Sequence, residues 1–264
     1  MTWVTTADVD QFLDETGSLL AADPVANSIL LTEARFWSRF SVPEPPALFG
    51  WWTENGRAQA AFVHIPDHAA ICSPLTAASA ESLPLVLTAG TCLGVQAEDV
   101  AAVTASWRAH RRQLRPVGWL SLLELQDFRP SSRPAGASRP AGGSDLSLLR
   151  SWFALFRARH PEDASHVEFV VDHPLEDGGL VLWEVDGRPV AMASRTPAVA
   201  GMVRMGLAFQ PTEGTTYADA AFDAACVAAR AAFDHVLVLS GNAATTAAHR
   251  SRGFVPVLDR VLLE

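Results

Sequence analysis

Apolar residues recur at three- and four-residue steps through Val9, Phe12, Leu13, Leu19 and Leu20, which predicts an amphipathic helix closed by Pro24. A second helical pattern runs from Ala26 to Phe40 and ends before Pro43-Glu44-Pro45-Pro46. Two short apolar runs then flank Asn55-Gly56, the dipeptide of a tight hairpin turn, and predict paired strands. A further strand is expected over Ala69 to Ser73, helices over Ser79 to Leu93 and Ala97 to Arg112, and a strand over Trp119 to Leu125.

From Arg129 through Gly143 the apolar period disappears and Pro, Ser and Gly dominate, so the chain reads as a linker over 129–144 between halves at 1–128 and 145–264. After it, Ser144 or Asp145 caps a helix carrying Leu146, Leu149, Trp152, Phe153 and Phe156. Strands are expected over Leu180 to Val185, Pro189 to Arg195 and Met202 to Phe209, with Asp186-Gly187 as the first turn. An Ala-rich helix from Thr216 to Phe233, a strand from Val236 to Leu239, a helix from Ala243 to Arg252 and a strand from Val255 to Leu263 complete the pattern. The halves share a repeat. Trp52, Asn55, Gly56, Arg57, Ala60 and Pro66 match Trp183, Asp186, Gly187, Arg188, Ala191 and Pro197 at one constant offset, which favours duplication of a supersecondary unit.

Composition narrows the functional classes. Of 264 residues, 49% are hydrophobic and 19% charged, which specifies a folded core. No apolar run approaches the roughly 20 residues of a membrane span, and the N-terminal residues lack a signal-peptide pattern, so a cytoplasmic, non-membrane protein is expected. A net charge of -9 argues against nucleic acid as partner, and Arg108, Arg111, Arg112 and Arg115 read as a solvated helix end. Cys72, Cys92 and Cys226 are too scattered for a disulfide framework or a metal site. His64 and His68 have helical ligand spacing, but Pro66 between them makes them loop histidines. Neither G-x-S-x-G nor H-E-x-x-H occurs. Trp51, Trp52, Trp107, Trp119, Trp152 and Trp183 fall in apolar segments and read as core.

The chemistry-bearing stretch follows the strand ending Leu207-Ala208-Phe209. There Gln210-Pro211-Thr212-Glu213-Gly214-Thr215-Thr216-Tyr217-Ala218 leads into a helix, and such a strand–loop–helix junction can cradle an anion with backbone N–H groups. Downstream, Asn242 opens a short helix that carries His249 and ends at Gly253-Phe254. This order resembles the GNAT superfamily of N-acetyltransferases, with Asn242 and Gly253-Phe254 at matching positions and His249 where the family has Tyr. The resemblance implies an α/β fold of two consecutive GNAT-like halves, each a mixed, mostly antiparallel sheet flanked by helices, the first half degenerate.

It further implies acetyl-coenzyme A, or another acyl-coenzyme A, as co-substrate and a small-molecule or peptide amine as acceptor, with no metal; it leaves a homodimer open. Leu207, Ala208 and Phe209 would contact the pantetheine arm, Gly214, Thr215, Thr216, Tyr217 and Ala218 the pyrophosphate, and Asn242 would also contact the cofactor. His249 would protonate the departing thiolate. Two positions depart from the family loop: Glu213 stands where Arg is usual and Thr216 where Gly is usual. The alternative is an inactive module of the same fold that binds a small molecule or protein. Glu184 and Asp186 are base candidates by position, though exposed turn residues by their setting.

Overall fold

A computed structural model describes residues 1–39, 46–87, 90–131, 134–214 and 216–264. Its elements are β1 (Thr2–Thr6), α1 (Val9–Ala22), α2 (Ser28–Trp37), β2 (Leu48–Glu54), β3 (Arg57–His64), β4 (Ala70–Cys72), α3 (Ala77–Ser82), β5 (Leu93–Gln96), α4 (Val100–Ala109) and β6 (Pro116–Leu125). There follow β7 (Ala137–Pro140), α5 (Leu146–Arg159), α6 (His173–Glu176), β8 (Leu180–Val185), β9 (Arg188–Arg195), β10 (Met202–Phe209), α7 (Tyr217–Ala232), β11 (His235–Ser240), α8 (Ala243–Ser251) and β12 (Phe254–Leu263).

Contacts divide the chain into two units. Unit 1 holds residues 1–122, 240–243 and 256–264, and unit 2 holds 123–239 and 244–255. The chain's last strand therefore belongs mainly to the first unit, a division that the expected halves at 1–128 and 145–264 did not contain. Within unit 1 the strand order is β1-β2-β3-β4-β5-β12-β6. β12 lies antiparallel to β5, with Arg260 opposite Gln96 and Leu263 opposite Leu93. Trp3, Trp52, Phe62, Leu83, Val103 and Trp107 fill the core on one face, while Phe12 of α1 packs on Phe49 of β2, ring centroids 5.2 Å apart, on the other. That is the two-faced burial expected when strand side chains alternate.

In unit 2 the order is β6-β11-β10-β9-β8-β7, with residues 123–125 as the β6 part. Here too the alternation decides the layers. Ala191 and Ala193 of β9 face α7 with Val203, Phe222 and Cys226, whereas Met192 faces α5 with Leu149, Trp152 and Phe209. Burying these two faces is the main source of stability, at roughly 25 cal/mol per Å² of apolar surface removed from water.

The repeat is structural. Both hairpins turn through left-handed residues at matching positions, Asn55-Gly56 (φ 52° and 73°) and Asp186-Gly187 (φ 50° and 73°). Trp52 lies opposite Ala60 and Trp183 opposite Ala191, and each register slips once immediately afterwards. A shared defect at the same place is difficult to obtain from two unrelated hairpins.

Several expectations are corrected. The helix expected over Ser79 to Leu93 is shorter: α3 stops at Ser82, a short 3-10 turn, Leu83–Leu85, follows, and Leu93 opens the strand Leu93–Gln96, of which Gly94 to Gln96 is not assigned from the pattern. Within the expected linker, Ala137–Pro140 pairs with β8 as an edge strand. Thr2–Thr6, not assigned from the pattern, pairs with β2. Asp145 forms no side-chain bond to α5; its carboxylate binds Arg139 and the Gly142 amide, and with Arg139 foremost its pKa is drawn down to about 2. Trp119 is 39% exposed and is not core. The helix end at Phe40, the breaker at Pro43–Pro45 and the linker residues Ser132 and Arg133 lie outside the described residues.

Candidate active site in unit 2

The site begins where two parallel strands part. β10 pairs with β11 only through Met202–Arg204 against His235–Leu237, although β10 runs on to Phe209 and β11 to Ser240. On its other edge β10 stays bonded to β9 as far as Phe209 opposite Met192. The strand is held from one side while its second edge opens. A bulge at Gly206-Leu207 sharpens the divergence, because two residues of β10 oppose Ser194 alone. A Cβ on Gly206 would lie 2.8 Å from Ser194 Oγ, so glycine leaves that hydroxyl in the place where it accepts from Leu207.

The Leu207 N–H donates to Ser194 Oγ at 3.1 Å, so it is turned toward β9. Strand alternation then turns the next amide, that of Ala208, to the open edge. Leu207 and Ala208 are half-buried and Phe209 is buried. The three residues expected along the opening therefore line up on β10, but their amides differ in direction.

Beyond Phe209 the chain reaches α7 through a loop that borders a depression of about 340 Å³, lined among others by Arg159, His160, Phe209, Gln210, Glu213 and Gly214. Gly214 adopts φ +82° with open space around its α-carbon. Glu213 and Thr216 are exposed, Tyr217 and Ala218 are half-buried, and Thr215 lies outside the described residues. Tyr217 packs at the edge of the α7 core. Thr216 makes no side-chain cap to α7. Gln210 does this instead: its Oε1 accepts from the Ala218 N–H at 2.8 Å, and its Nε2 donates to Thr212 O at 2.7 Å.

Two residues at the depression were not singled out from the sequence. Gln210 carries a weak signal, a polar side chain between a strand and Pro211. Arg159 carries none beyond a basic residue at a helix C-terminus. Yet its Nη2 donates to Pro211 O at 2.6 Å, and its guanidinium stands 5.5 Å from the centre of the Phe209 ring. His160 beside it stacks on Phe156 at 4.8 Å.

His249 is placed otherwise than expected. It is 9% exposed, with its ring 5.5 Å from Phe222 and 5.6 Å from Phe254, and its Nδ1 has no hydrogen-bond partner. Burial, followed by the nearby Arg252, pushes its pKa down to about 4. At neutral pH it is an uncharged core imidazole. The general-acid role assigned to it is corrected on that ground, because a general acid must carry its proton at the working pH. Nearby Arg252 is buried between α7 and α8, bonded to Asp219 and, at 3.0 Å, to Asp223; Asp223 also accepts from Ser131. Asn242 is exposed and lies in the stretch 240–243 that groups with unit 1. Glu184 is tied to Arg139 at 2.7 Å, and Asp186 sits in its hairpin turn. Cys72 is buried, its thiol pushed up to about 12, and burial raises Cys226 as well, so neither is an accessible nucleophile. Among the described residues no cluster of His, Cys, Asp and Glu could hold a metal ion. Nor is any described helix long and apolar enough to cross a membrane.

The equivalent place in unit 1 is filled. β4 and β5 also pair in parallel for a short distance, Ala70–Ile71 against Leu93–Gly94. At the end of β4 the guanidinium of Arg260, 2% exposed, donates to Cys72 O at 2.5 Å and to Ala26 O at 2.6 Å. The segment entering α3 is bonded to its own unit through Ser73 N–H to Ala61 O, Leu75 N–H to the Asp99 carboxylate, and the Thr76–Ser79 capping box. Among the described residues of that stretch, no amide edge comparable to that of β10 is left.

Duplicated hairpins, parallel strands that part, a bulge at the parting and a helix entered from the opened strand together define the GNAT fold, here as two consecutive GNAT-like halves. Solved structures agree. An acetyltransferase of the GNAT family from Colwellia psychrerythraea superimposes with a TM-score of 0.59 at 10% identity, covering 100% of this chain and 98% of that one. The GCN5-related N-acetyltransferase from Sphaerobacter thermophilus gives 0.57 at 14% identity, with 99% and 94% covered. A tandem GNAT protein from the clavulanic acid biosynthesis pathway gives 0.54 at 15% identity, with 99% and 96% covered. No protein-family model matches the chain, and no curated protein matches it in sequence.

Proposed function

We propose that unit 2 is an acyltransferase that moves an acetyl or other acyl group from acyl-coenzyme A to an amine. The observation that carries this reading is the short β10–β11 ladder, because it leaves the β10 edge from Gly206 to Phe209 open beside a helix N-terminus. The residues fit the donor in part. The Ala208 amide is turned to the open edge, where it can hold the pantetheine arm or polarise a carbonyl. Gly214 lets the loop approach phosphates closely, and the N-terminus of α7 favours negative charge. The Ala218 amide becomes available only when Gln210 releases it.

The bound donor supplies a thioester whose carbonyl carbon is attacked by the amine. The C–S bond breaks, the amine loses a proton and the departing thiolate gains one. This chain's part is to orient the thioester on the strand edge and to keep competing polar contacts away. With His249 neutral and buried, the proton for the thiolate comes from water or from the acceptor amine.

A second reading, a non-enzymatic module of the same fold, draws support from Gln210 occupying the helix amide and from Glu213 in the loop. Thermal unfolding with and without acetyl-coenzyme A separates the two. Donor at a hundredfold excess over its dissociation constant should add about 2.7 kcal/mol of stability. No shift with acetyl- or longer acyl-coenzyme A would favour the module.

A further inference from the structure

We propose that Arg159 is the phosphate-binding residue of this site, and that it selects a phosphate-bearing acyl donor over a phosphate-free one. The proposal rests on the reading given above and names a residue for it. From Gln210 to Ala218 the loop contains no basic side chain, and its only charged one is Glu213. The whole chain carries a net charge of -9. A polyanionic donor approaching this loop therefore needs a cation from elsewhere.

Of the residues lining the depression, Arg159 and His160 are the basic ones. His160 Nδ1 lies 3.5 Å from Glu162, and its ring is stacked on Phe156. Arg159 is held in place by Pro211 O at 2.6 Å and by the face of Phe209, and its Nη1 lies 3.5 Å from Gln210 O. These contacts order the guanidinium beside Gly214 and Ala218 but do not consume its five N–H donors. It is exposed, so those donors are reachable from solvent. An ordered fork with donors to spare is the arrangement that recognises phosphate bidentately.

The test is calorimetric titration of the full chain with acetyl-coenzyme A and with S-acetylpantetheine, which has the same thioester and no phosphate. Wild type is compared with Arg159→Ala, Arg159→Lys and Arg159→Gln; the Gln variant keeps a polar N–H donor and removes the charge. Arg159→Ala and Arg159→Gln should weaken acetyl-coenzyme A about tenfold or more, as expected for a lost charge-assisted contact. They should leave S-acetylpantetheine within about twofold and flatten the salt dependence of acetyl-coenzyme A binding. Arg159→Lys should recover part of the loss. Equal weakening of both ligands would reduce Arg159 to a brace for the loop and overturn the proposal, as would no weakening of either. Wild type binding both ligands equally would overturn it while leaving the acyl-donor reading intact. Wild type binding neither would end that reading, and the proposal with it.

Discussion

Replacing His249 by phenylalanine asks whether this residue is a core imidazole or a proton carrier. The ring lies among Phe222 and Phe254 with an unpartnered Nδ1, so phenylalanine fits the same aromatic cluster and removes a buried polar atom. At pH 7 the variant should be as stable as wild type or slightly more so. The difference appears in acid. In the unfolded chain the ring titrates near 6.5, and in the fold near 4, because burial and then Arg252 disfavour its cation.

The folded state thus binds fewer protons between those values. Wild type is fully stabilised above about pH 6.5 and loses stability as the pH falls toward 4. At about 1.4 kcal/mol per pH unit the full shift would be worth about 3 kcal/mol, and solvent reaching the ring edge reduces this to about 2 kcal/mol. Urea denaturation at pH 7 and pH 4.5 measures it directly. Wild type should lose about 2 kcal/mol more than His249→Phe across that interval. Parallel losses in the two proteins, or a His249 ring signal that titrates near 6.5, would refute the reasoning and restore it as an acid candidate.

Other consequences are as specific. Gly253 has φ +93°, and a Cβ there would sit 1.8 Å from Asp127 O, so Gly253→Ala must break the bonds that Gln126 and Asp127 amides make to Gly253 O. Left-handed strain plus one or two lost bonds predicts a loss of about 3 kcal/mol in chemical denaturation, against about 1 kcal/mol for Gly214→Ala, which meets nothing. Gln210→Ala removes the Ala218 and Thr212 bonds and should lower stability by about 1 kcal/mol while tightening acetyl-coenzyme A several-fold in calorimetry. Weaker binding instead would make Gln210 a donor contact. Arg260→Met leaves Cys72 O and Ala26 O without their guanidinium inside unit 1, and a loss of about 2–4 kcal/mol is expected in urea denaturation.

Local chemistry made the hairpins legible, because Asn55-Gly56 and Asp186-Gly187 each need left-handed backbone that few other pairs supply. Element order then made the fold legible as GNAT-like. The pattern carries a helix to Leu93 and assigns nothing to Gly94–Gln96, because four apolar or neutral residues after an apolar stretch have no period of their own. β7 was hidden by its composition: Ala137-Ser138-Arg139-Pro140 is an edge strand, mostly exposed, that buries no alternating face. Pairing of β12 with β5 joins residues far apart in sequence, and nothing local encodes it.

The site divided in the same way. Strand and loop, Leu207 to Ala218, could be located from sequence because they are contiguous. The partners of that loop could not. Arg159 meets Pro211 from a separate helix, and His249 takes its character from Phe222 and Phe254, which tertiary packing alone brings to it.

The central claim is that the opened edge of β10 and the turn into α7 hold an acyl donor. Hydrogen–deuterium exchange with saturating acetyl-coenzyme A reads this most directly. The account predicts slowed exchange in peptides covering residues 207–218, and none in residues 70–76, where Arg260 and the Thr76 cap already occupy unit 1. Unchanged exchange across 207–218, or protection that appears at 70–76 instead, would contradict it.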